Sequence, residues 1–483
     1  MDFSNKYLDS RNAIPLRVAG ERITKTEIVD VFSPYSGAVV GRVHCATEKE
    51  LETAVSIAQA AFTSLELIPH KRAAVLETAG RLLAERKEDF ARIIASEAAK
   101  PIKTARIEVE RAVQTFLFSA SIARTVTGDM IALNAHPSGE KKLAFTLRQP
   151  IGVIAAIAPF NFPLNLVAHK IAPAIAAGCP VVLKPAMNTP LSAAALVDLL
   201  VDECGLPGDY LAYVPCPGSV AAHFTELDGV AMISFTGSPG VGWSIRADAP
   251  RKKVALELGN NAPLIVADDA DVQAAANSVA ASGYSFQGQS CISVQRVYVH
   301  STVHDLFLDL LQEKVEALVV GDPLEDTTDV SSLIAEADTK RILDWVSSAV
   351  NAGARVVTGG DITSEGVLRP LILADTTDDM DVCRKEVFGP IVSVMSFENF
   401  DDAVARANDS DYGLQAAIFT KDISRALNAA HNLDFGGVLV NETPTYRADN
   451  MPYGGIRDSG NTKEGPAYAV HEMTVEKLVI INE

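Results

Sequence analysis

Cys291 combines the most reactive type of side chain in this sequence with the most permissive surroundings. It ends the run Gly288-Gln289-Ser290-Cys291, whose small residues let a ligand approach the backbone closely. A thiolate in such a segment can act as a nucleophile. The alternative is a small buried thiol, which is the commoner role of a cysteine.

Two other residues could assist such a nucleophile. Glu257 lies at the end of an apolar strand, where a carboxyl group with a raised pKa could serve as a general base, or could form an ordinary buried ion pair. Asn161 stands between Pro159 and Pro163, just before a predicted helix. Its fixed amide could donate to an oxyanion, although a simple turn asparagine is also consistent with the pattern.

A phosphate-binding turn is suggested by Phe235-Thr236-Gly237-Ser238, which follows a predicted strand and opens a predicted helix. Backbone N–H groups and the helix dipole can hold a phosphate at such a place, but the segment lacks the Gly-x-Gly-x-x-Gly pattern. Lys184 also follows a predicted strand, at the end where α/β sheets bind ligands. Taken alone, a plain turn and a solvated lysine explain both segments.

Composition excludes several classes of protein. The 483 residues are 48% hydrophobic and 21% charged, with a formal net charge of −19, which is unfavourable for nucleic acid and anionic membranes. The chain shows no leader-like amino end, no apolar run long enough to span a bilayer and no metal-ligand spacing. Six cysteines without Cys-x-x-Cys spacing predict reduced thiols and a cytoplasmic protein.

Hydrophobic periodicity predicts the elements that hold these residues. Apolar residues at helical spacing predict helices over 51–62, 73–99 and 107–123. From residue 151, short apolar runs at 153–157, 181–183, 212–214 and 232–235 alternate with helices, which predicts a doubly wound parallel sheet. We expect Pro163 to open one of these helices and Gly178 to end it, and we expect another helix over 191–201.

A second α/β cycle follows Gly259. Strands are predicted at 263–266, 295–299, 371–373 and 391–397, with helices at 303–315 and 335–352. The polar stretch 133–148 is predicted to form a hairpin. The run 475–481 is a strand without a local partner, so it must pair with a distant part of the chain or with another subunit.

In this order, the segments around Pro159–Pro163, Lys184, Phe235–Gly242, Glu257 and Cys291 resemble the aldehyde dehydrogenase superfamily. The resemblance continues through Glu386-Val387-Phe388-Gly389-Pro390 to Pro452-Tyr453-Gly454-Gly455, and so covers nearly the whole chain. Residues 288–296 are most similar to a bacterial branch near lactaldehyde and phosphonoacetaldehyde dehydrogenases.

The resemblance implies an α/β fold of three parts. A dinucleotide-binding domain with a doubly wound parallel sheet would comprise residues 1–124 and 148–258. A second α/β domain, the catalytic one, would span 259–445, followed by a returning loop at 446–467. A small β extension at 125–147 and 468–483 would add strands across subunits of a homodimer or homotetramer.

The resemblance also implies roles for individual residues. Cys291 would attack an aldehyde, the Asn161 amide and the Cys291 N–H would hold the oxyanion, and Glu257 would activate water. Lys170 would either relay protons or serve as a structural lysine. The cofactor would be NAD or NADP, held by Lys184 and Ser238 and by Glu386 and Phe388 beside the nicotinamide. The full predicted set of cofactor contacts is Ile157, Pro159, Phe160, Lys184, Met187, Gly218, Phe235, Thr236, Gly237, Ser238, Val241, Leu258, Gly259, Glu386 and Phe388.

Departures from the family pattern concern the cofactor and the substrate. Met187 stands where many NAD-using relatives carry a glutamate, which removes a charge that would repel a 2′-phosphate. Asn260 replaces a usual glycine. Arg111, Arg447 and Ser290 are predicted to contact a short anionic or hydroxylated aldehyde, such as a phosphonate, phospho-, sulfo- or lactaldehyde-type molecule, unless the arginines form internal ion pairs.

Two other functions are consistent with the same fold. A CoA-acylating aldehyde dehydrogenase would pass the acyl group to CoA instead of water, but such relatives commonly lack the base that Glu257 supplies. An inactive dinucleotide-binding protein is the second alternative. The presence of Cys291, Glu257 and Asn161 together disfavours it.

Overall fold

The computed structural model of the protein describes residues 3–64 and 67–482. Residues 1 and 2, part of the amino end that we expect to lack a leader, lie outside the described residues, as does residue 483 of the predicted β extension. No helix in the described ranges is both long and apolar enough to cross a membrane. The fold is α/β, as predicted.

The strands of the described residues are β1 (Ala13–Ile14), β2 (Leu16–Val18), β3 (Glu21–Ile23), β4 (Ile28–Phe32), β5 (Val39–His44), β6 (Met130–Ile131), β7 (Lys142–Pro150), β8 (Val153–Ile157), β9 (Val181–Lys184), β10 (Leu211–Tyr213), β11 (Val230–Thr236), β12 (Lys253–Glu257), β13 (Pro263–Val266), β14 (Arg296–His300), β15 (Arg355–Thr358), β16 (Leu371–Ala374), β17 (Ile391–Phe397), β18 (Gln415–Phe419), β19 (Gly437–Val440) and β20 (Thr474–Asn482).

The α-helices are α1 (Glu48–Ser64), α2 (Pro69–Glu85), α3 (Lys87–Ala98), α4 (Ile102–Thr125), α5 (Asn165–Ala177), α6 (Leu191–Asp198), α7 (Gly218–Ala221), α8 (Pro239–Asp248), α9 (Val272–Gly283), α10 (His304–Glu316), α11 (Glu336–Asn351), α12 (Asp381–Arg384), α13 (Phe400–Asn408), α14 (Ile423–Asn432) and α15 (Pro466–Glu472).

The first large sheet has the strand order β12-β11-β8-β9-β10-β2-β3. Its first five strands are parallel, and β2 and β3 are antiparallel additions at one edge. Helices cover both faces through separate apolar clusters, and α2 to α6 form the larger one. The chain changes winding direction between β8 and β11, and such a point in an α/β sheet is a common ligand site.

The second large sheet has the order β15-β16-β17-β14-β13-β18-β19 and is parallel except for β15. Apolar side chains on its two faces form two further core clusters. Buried strands such as β13 and β18 are apolar throughout, which is typical of parallel sheets covered on both sides.

The terminal strand finds its partner within the chain. β20 pairs antiparallel with β7, from Thr474 opposite Pro150 to Asn482 opposite Lys142, and β6 lies on the other side of β7. The hairpin begins three residues before the predicted stretch, and its connection contains short 3-10 turns at Leu133–Ala135 and Pro137–Gly139. β7 also continues past the predicted limit at residue 147.

Two predicted helices have different bounds in the structure. The helix expected over 73–99 is broken at Arg86, which leaves helical geometry (φ −106°, ψ 24°), so that α2 ends and α3 begins there. The helix expected over 191–201 ends as α6 at Asp198 and continues as a π-helical turn, Leu199–Glu203.

The start of α5 also differs from the prediction. The helix begins at Asn165 rather than Pro163, because the Glu108 carboxylate accepts the N–H groups of Leu164 (2.9 Å) and Asn165 (3.1 Å) and so caps it from α4. Its other end agrees with the prediction, since Gly178 adopts the left-handed conformation (φ 91°) that closes a helix.

Candidate active site

The carboxyl ends of four neighbouring strands of the first sheet form the floor of the candidate site. Lys184 at the end of β9 pairs with Ile157 of β8, and Ile157 pairs in turn with Phe235 of β11. Thr236 of β11 pairs with Glu257 of β12. Since these strands are parallel, their terminal side chains lie in one row along the same edge.

A single cavity of about 510 Å³ lies over this row and reaches Cys291. It brings together residues that the sequence separates by more than two hundred positions. The lining residues are Ile157, Ala158, Pro159, Phe160, Asn161, Leu166, Lys184, Ala186, Met187, Asn188, Gly218, Phe235, Thr236, Gly237, Ser238, Glu257, Leu258, Gly259, Cys291, Glu386 and Phe388.

Cys291 lies in the loop between α9 and β14, and it is the partly exposed member of the six cysteines. Phe286 and Gln287, which precede it, both have positive φ (47° and 56°). The Cys291 Sγ lies 2.9 Å from the Tyr453 hydroxyl oxygen. Burial raises the pKa of the thiol to about 12, and the hydrogen bond with Tyr453 opposes that rise.

Glu257 is buried at the end of β12, and its two carboxyl oxygens have no hydrogen-bond partner within the described ranges. Burial raises the pKa of this carboxyl group well above its ordinary value, and the negative charge of Glu464 raises it further. Arg447, Lys170 and Lys463 act in the opposite direction. When ionised, a buried carboxylate without a hydrogen-bond partner is a strong base that can take a proton from water.

Asn161 is held in the turn before α5. Its Nδ2 donates to the Gln289 carbonyl at 3.0 Å, which ties it to the loop that carries Cys291. One N–H of the amide stays available, and its Oδ1 has no partner among the described residues. Behind this turn, Lys100 lies between the rings of Phe162 (3.7 Å from the centroid) and Phe286 (4.3 Å), one from each side of the site.

Lys170 lies behind Glu257 rather than in the large cavity. Its Nζ donates to Thr236 (2.7 Å) and Ser234 (3.1 Å) and lies 3.7 Å from a Glu464 oxygen. It borders a separate cavity of about 20 Å³ together with Glu257 and Glu464. Burial lowers the pKa of its ammonium group, while the two carboxyl groups raise it.

The remaining part of the cavity is suited to a dinucleotide. Ser238 caps α8 without a side-chain hydrogen bond, so the first-turn N–H groups of the helix are open to a phosphate. Burial lowers the pKa of the half-buried Lys184 amine, and the thiols of Cys216 and Cys45 act in the opposite direction. Met187 lines the cavity nearby.

Glu386 approaches the backbone of the first sheet closely. The Asn260 N–H donates to Glu386 Oε1 at 2.9 Å, and burial raises the pKa of this carboxyl group to about 7. A Cβ atom at Gly259 would lie 2.4 Å from Glu386 Oε2, so this approach requires glycine. The Asn260 side chain points away, with Nδ2 donating to the Gln415 carbonyl at 3.3 Å, and does not line the large cavity.

One predicted cofactor contact lies elsewhere. The cavity contains fourteen of the fifteen predicted residues, but Val241 is not among them. Val241 sits in the first turn of α8 and is 51% exposed. Its side chain therefore points to solvent while its N–H belongs to the open helix end.

The three predicted substrate contacts also lie outside the large cavity. Arg111 donates twice to Asp449 (2.9 and 3.2 Å), and Arg447 donates to Glu464 at 2.8 Å, which are the internal ion pairs expected as the alternative. Ser290 borders a pocket of about 10 Å³ with Asn260 and Phe388. Each arginine finds its carboxylate on the returning loop, which sequence spacing could not reveal.

Sequence reasoning assigned no role to Tyr453 or Glu464. Tyr453 was visible as the hydroxylated residue of Pro452-Tyr453-Gly454-Gly455. Glu464 is buried between Arg447 and Lys170; burial would raise the pKa of its carboxyl group, but these two cations lower it to about 2. Glu464 is thus ionised, whereas burial keeps Glu257 protonated to higher pH.

Comparison with known proteins agrees with this geometry. The model of the family described as "Aldehyde dehydrogenase family" matches residues 22–479. The 3-sulfolactaldehyde dehydrogenase of Priestia aryabhattai is 43% identical over 468 residues, which cover 97% of this chain and 98% of that protein. The lactaldehyde dehydrogenase of Methanococcus maripaludis is 36% identical over 462 residues, covering 94% and 97% of the two chains.

Among solved structures, the glyceraldehyde-3-phosphate dehydrogenase of Methanocaldococcus jannaschii complexed with NADP superimposes with a TM-score of 0.91 at 36% identity. The match covers 95% of this chain and 100% of that one. The chain therefore belongs to the aldehyde dehydrogenase family. The resemblance seen in the sequence is confirmed over nearly the full length.

Proposed function

We propose that this enzyme oxidises a short, hydroxylated or anionic aldehyde to its carboxylic acid with NAD or NADP. The observation that carries the proposal is the single cavity in which Cys291, Glu257 and Asn161 meet the cofactor-binding strand ends. A thiol nucleophile, an unpaired carboxyl group and an amide donor are the three groups that oxidation through an enzyme-bound thioester needs.

The residues act in sequence. The Cys291 thiolate attacks the aldehyde carbon, and the oxyanion accepts hydrogen bonds from the free Asn161 amide N–H and the Cys291 backbone N–H. NAD or NADP, held in the cavity beside Glu386 and Phe388, would supply the hydride acceptor for that carbon. Glu257 then removes a proton from the water that attacks the thioester, and the acid leaves while Cys291 regains its thiolate. The neutral form of Lys170, which burial favours, then takes up the proton from Glu257 across the small cavity that the two side chains share.

Glu257 favours water over CoA as the acyl acceptor, because a base is needed to activate water. The direct test is an aldehyde panel assayed for formation of reduced cofactor with NAD and with NADP, each with and without CoA. We expect turnover without CoA and the carboxylic acid as product. Turnover that requires CoA would establish the acylating alternative, and its absence with every aldehyde despite cofactor binding would establish an inactive binding protein.

Two observations support the proposed substrate class: the substrates in the names of the relatives, and the arginines near the site. Sulfolactaldehyde and lactaldehyde are both three-carbon aldehydes with a hydroxyl group next to the aldehyde carbon. Arg447 has further donors, since its buried Nε has no partner in the described ranges and Glu464 accepts only from Nη2. We infer that Arg447, together with Arg111 and Ser290, binds an anionic group of the substrate.

Substitution of Arg447 tests this assignment. Arg447→Ala should lower kcat/KM for sulfolactaldehyde at least ~10-fold more than for lactaldehyde, because charge-assisted hydrogen bonds act on the anion alone. Arg355→Ala, which removes an arginine exposed on β15, serves as the control. Equal losses for anionic and neutral aldehydes would contradict a role in anion binding.

The cofactor preference depends on Met187. Met187 carries no charge that would repel a 2′-phosphate, and we therefore propose that NADP is accepted as well as NAD. Met187→Glu should lower kcat/KM with NADP about 10-fold relative to NAD, a size typical of one charge contact. An unchanged ratio of kcat/KM with NADP to kcat/KM with NAD would show that other residues contact the 2′-phosphate.

The small sheet is proposed as a subunit interface. Exposed apolar side chains crowd its strands, among them Met130, Leu147, Leu478 and Ile480. Exposed apolar side chains of this kind are suited to packing between copies, and we propose a homodimer or homotetramer. Light scattering after gel filtration should show an oligomer that Leu478→Lys dissociates and Leu306→Lys, at a 55% exposed site on α10, does not.

The six free cysteines support a cytoplasmic location for the enzyme. Thiols of this number persist in a reducing compartment, and a mechanism that uses a thiolate depends on one. Fractionation of cells that produce the protein, with a cytoplasmic marker enzyme as reference, tests this proposal. Recovery with a secreted or membrane fraction would contradict it.

A further inference from the structure

Tyr453 places a hydroxyl group against the nucleophile. The residue is 2% exposed and lies on the returning loop, 162 positions from Cys291. Its hydroxyl oxygen lies 2.9 Å from the Cys291 Sγ, within hydrogen-bond distance. Either atom can donate while the thiol keeps its proton, but only the hydroxyl can donate once the sulfur is a thiolate.

The ring of Tyr453 packs against an arginine that is itself held by an ion pair. The Arg447 guanidinium carbon lies 3.8 Å from the centroid of the ring, and Arg447 in turn donates to Glu464 at 2.8 Å. Both charged side chains are buried, so this arrangement has little freedom. A cation against the face of a phenol draws electron density from the ring and makes its O–H a better donor.

The thiolate has few other sources of stabilisation. No lysine, arginine or histidine in the part of the chain that the structure describes forms a hydrogen bond with Sγ, whose hydrogen-bond partner is the Tyr453 hydroxyl. Burial opposes the charged form of the sulfur. A donor hydrogen bond from a neutral hydroxyl is a charge-assisted bond once the thiolate forms.

We propose that Tyr453 is a catalytic hydrogen-bond donor that stabilises and aims the Cys291 thiolate, with Arg447 and Glu464 holding its ring. The thiol proton leaves to water in the cavity that Cys291 lines, and Tyr453 keeps its own proton throughout. The proposal rests on the proposed role of Cys291 as nucleophile. It adds a residue to the mechanism that is independent of the identity of the aldehyde.

Alkylation of the enzyme by iodoacetamide as a function of pH measures this effect directly. The label on Cys291 is located by mass spectrometry, and the pH midpoint of the rate reports the pKa of the thiol. Tyr453→Phe keeps the ring and removes the hydroxyl group. We expect its midpoint to rise by about one unit, so that alkylation at neutral pH slows ~10-fold. The acid limb of kcat/KM should move in the same direction.

Tyr468→Phe is the matched control, since Tyr468 is an exposed tyrosine of α15. It should leave the midpoint unchanged. Thermal unfolding and cofactor binding of both variants establish that the fold is intact, and titration of thiolate absorbance gives the midpoint independently.

An unchanged or lowered midpoint in a folded Tyr453→Phe variant would overturn the inference. The proposed function fails in a different way, through persistent turnover by Cys291→Ala. Loss of turnover in Cys291→Ala together with an unchanged midpoint in Tyr453→Phe would therefore remove the role of Tyr453 alone.

Discussion

Two buried polar clusters lie at the turn that contains Asn161. They differ in whether their polar atoms have hydrogen-bond partners. In the reaction cluster (Asn161, Glu257 and Cys291), both oxygens of Glu257 and the Oδ1 of Asn161 lack partners among the described residues. In the capping cluster (Lys100 and Glu108), the carboxylate accepts hydrogen bonds from two backbone N–H groups and forms an ion pair with Lys100.

The difference separates two uses of buried charge. A fully paired carboxylate such as Glu108 holds elements in place, here the start of α5 and the turn before it. An unpaired one such as Glu257 is costly to keep and is available for reaction with water. Substitutions in the reaction cluster should therefore lower activity with little loss of stability, and those in the capping cluster should do the reverse.

Removal of the nucleophile should have the largest effect. Cys291→Ala is expected to lower kcat by about 10⁴-fold or more, because no thioester can form, while cofactor affinity stays near that of the wild type. Steady-state assays and cofactor titration measure the two quantities. Cys204→Ala, at a buried cysteine of the first sheet's core, is the control, and turnover by Cys291→Ala would refute the assignment.

Loss of the base comes next. Glu257→Gln should lower kcat about 10²- to 10⁴-fold, as for other general bases. A burst of one reduced cofactor per subunit should remain, because Glu257 acts after hydride transfer. Rapid-mixing absorbance measures the burst, and Glu313→Gln, at an exposed site on α10, is the control. Disappearance of the burst together with turnover would assign Glu257 to an earlier step.

The capping cluster should show the opposite behaviour. Glu108→Gln leaves the buried Lys100 ammonium without its ion pair and is expected to lower the free energy of unfolding by about 3 kcal/mol. Urea unfolding followed by fluorescence measures this change. Glu110→Gln, at an exposed residue of the same helix, should change it by less than about 0.5 kcal/mol. Equal stability of the two variants would remove the contrast between the clusters.

The smallest effect concerns pH. Burial raises the pKa of Glu257 in the folded state above its unfolded value, so its ionisation opposes folding. The wild type should thus lose stability as pH rises from about 4.3, the usual value for glutamate, through the folded pKa. Glu257→Gln should lack this loss and unfold at a slightly higher temperature than the wild type at alkaline pH. An identical pH dependence of the two proteins would argue against a buried, protonated Glu257.

Much of the fold could be predicted from the sequence, because the buried strands of a parallel sheet are uniformly apolar and alternate with helices. The uniformly apolar run of β8 and the stop at Gly178 fixed one βαβ unit from local residues alone. The start of α5 was missed because its cap, Glu108, comes from another helix. The break at Arg86 was missed because neither glycine nor proline marks it.

The site divides along the same line. The sequence predicted the grouping of three residues that end parallel strands: Lys184, Thr236 and Glu257. In a doubly wound sheet, the carboxyl ends of such strands lie along the same edge. The pairing of Arg111 with Asp449, and of Cys291 with Tyr453, joins residues 338 and 162 positions apart. Such contacts depend on how the returning loop packs against both sheets, and no local pattern encodes that packing.

Glu257 ends a strand of the first sheet, whereas Cys291 precedes a strand of the second. The reacting groups are thus aligned only while the two sheets keep their relative position, which the stack of Lys100 between Phe162 and Phe286 helps to hold. A slight slip between the sheets breaks this alignment and leaves each hydrophobic core intact. On heating, inactivation is therefore expected to precede the melting of secondary structure.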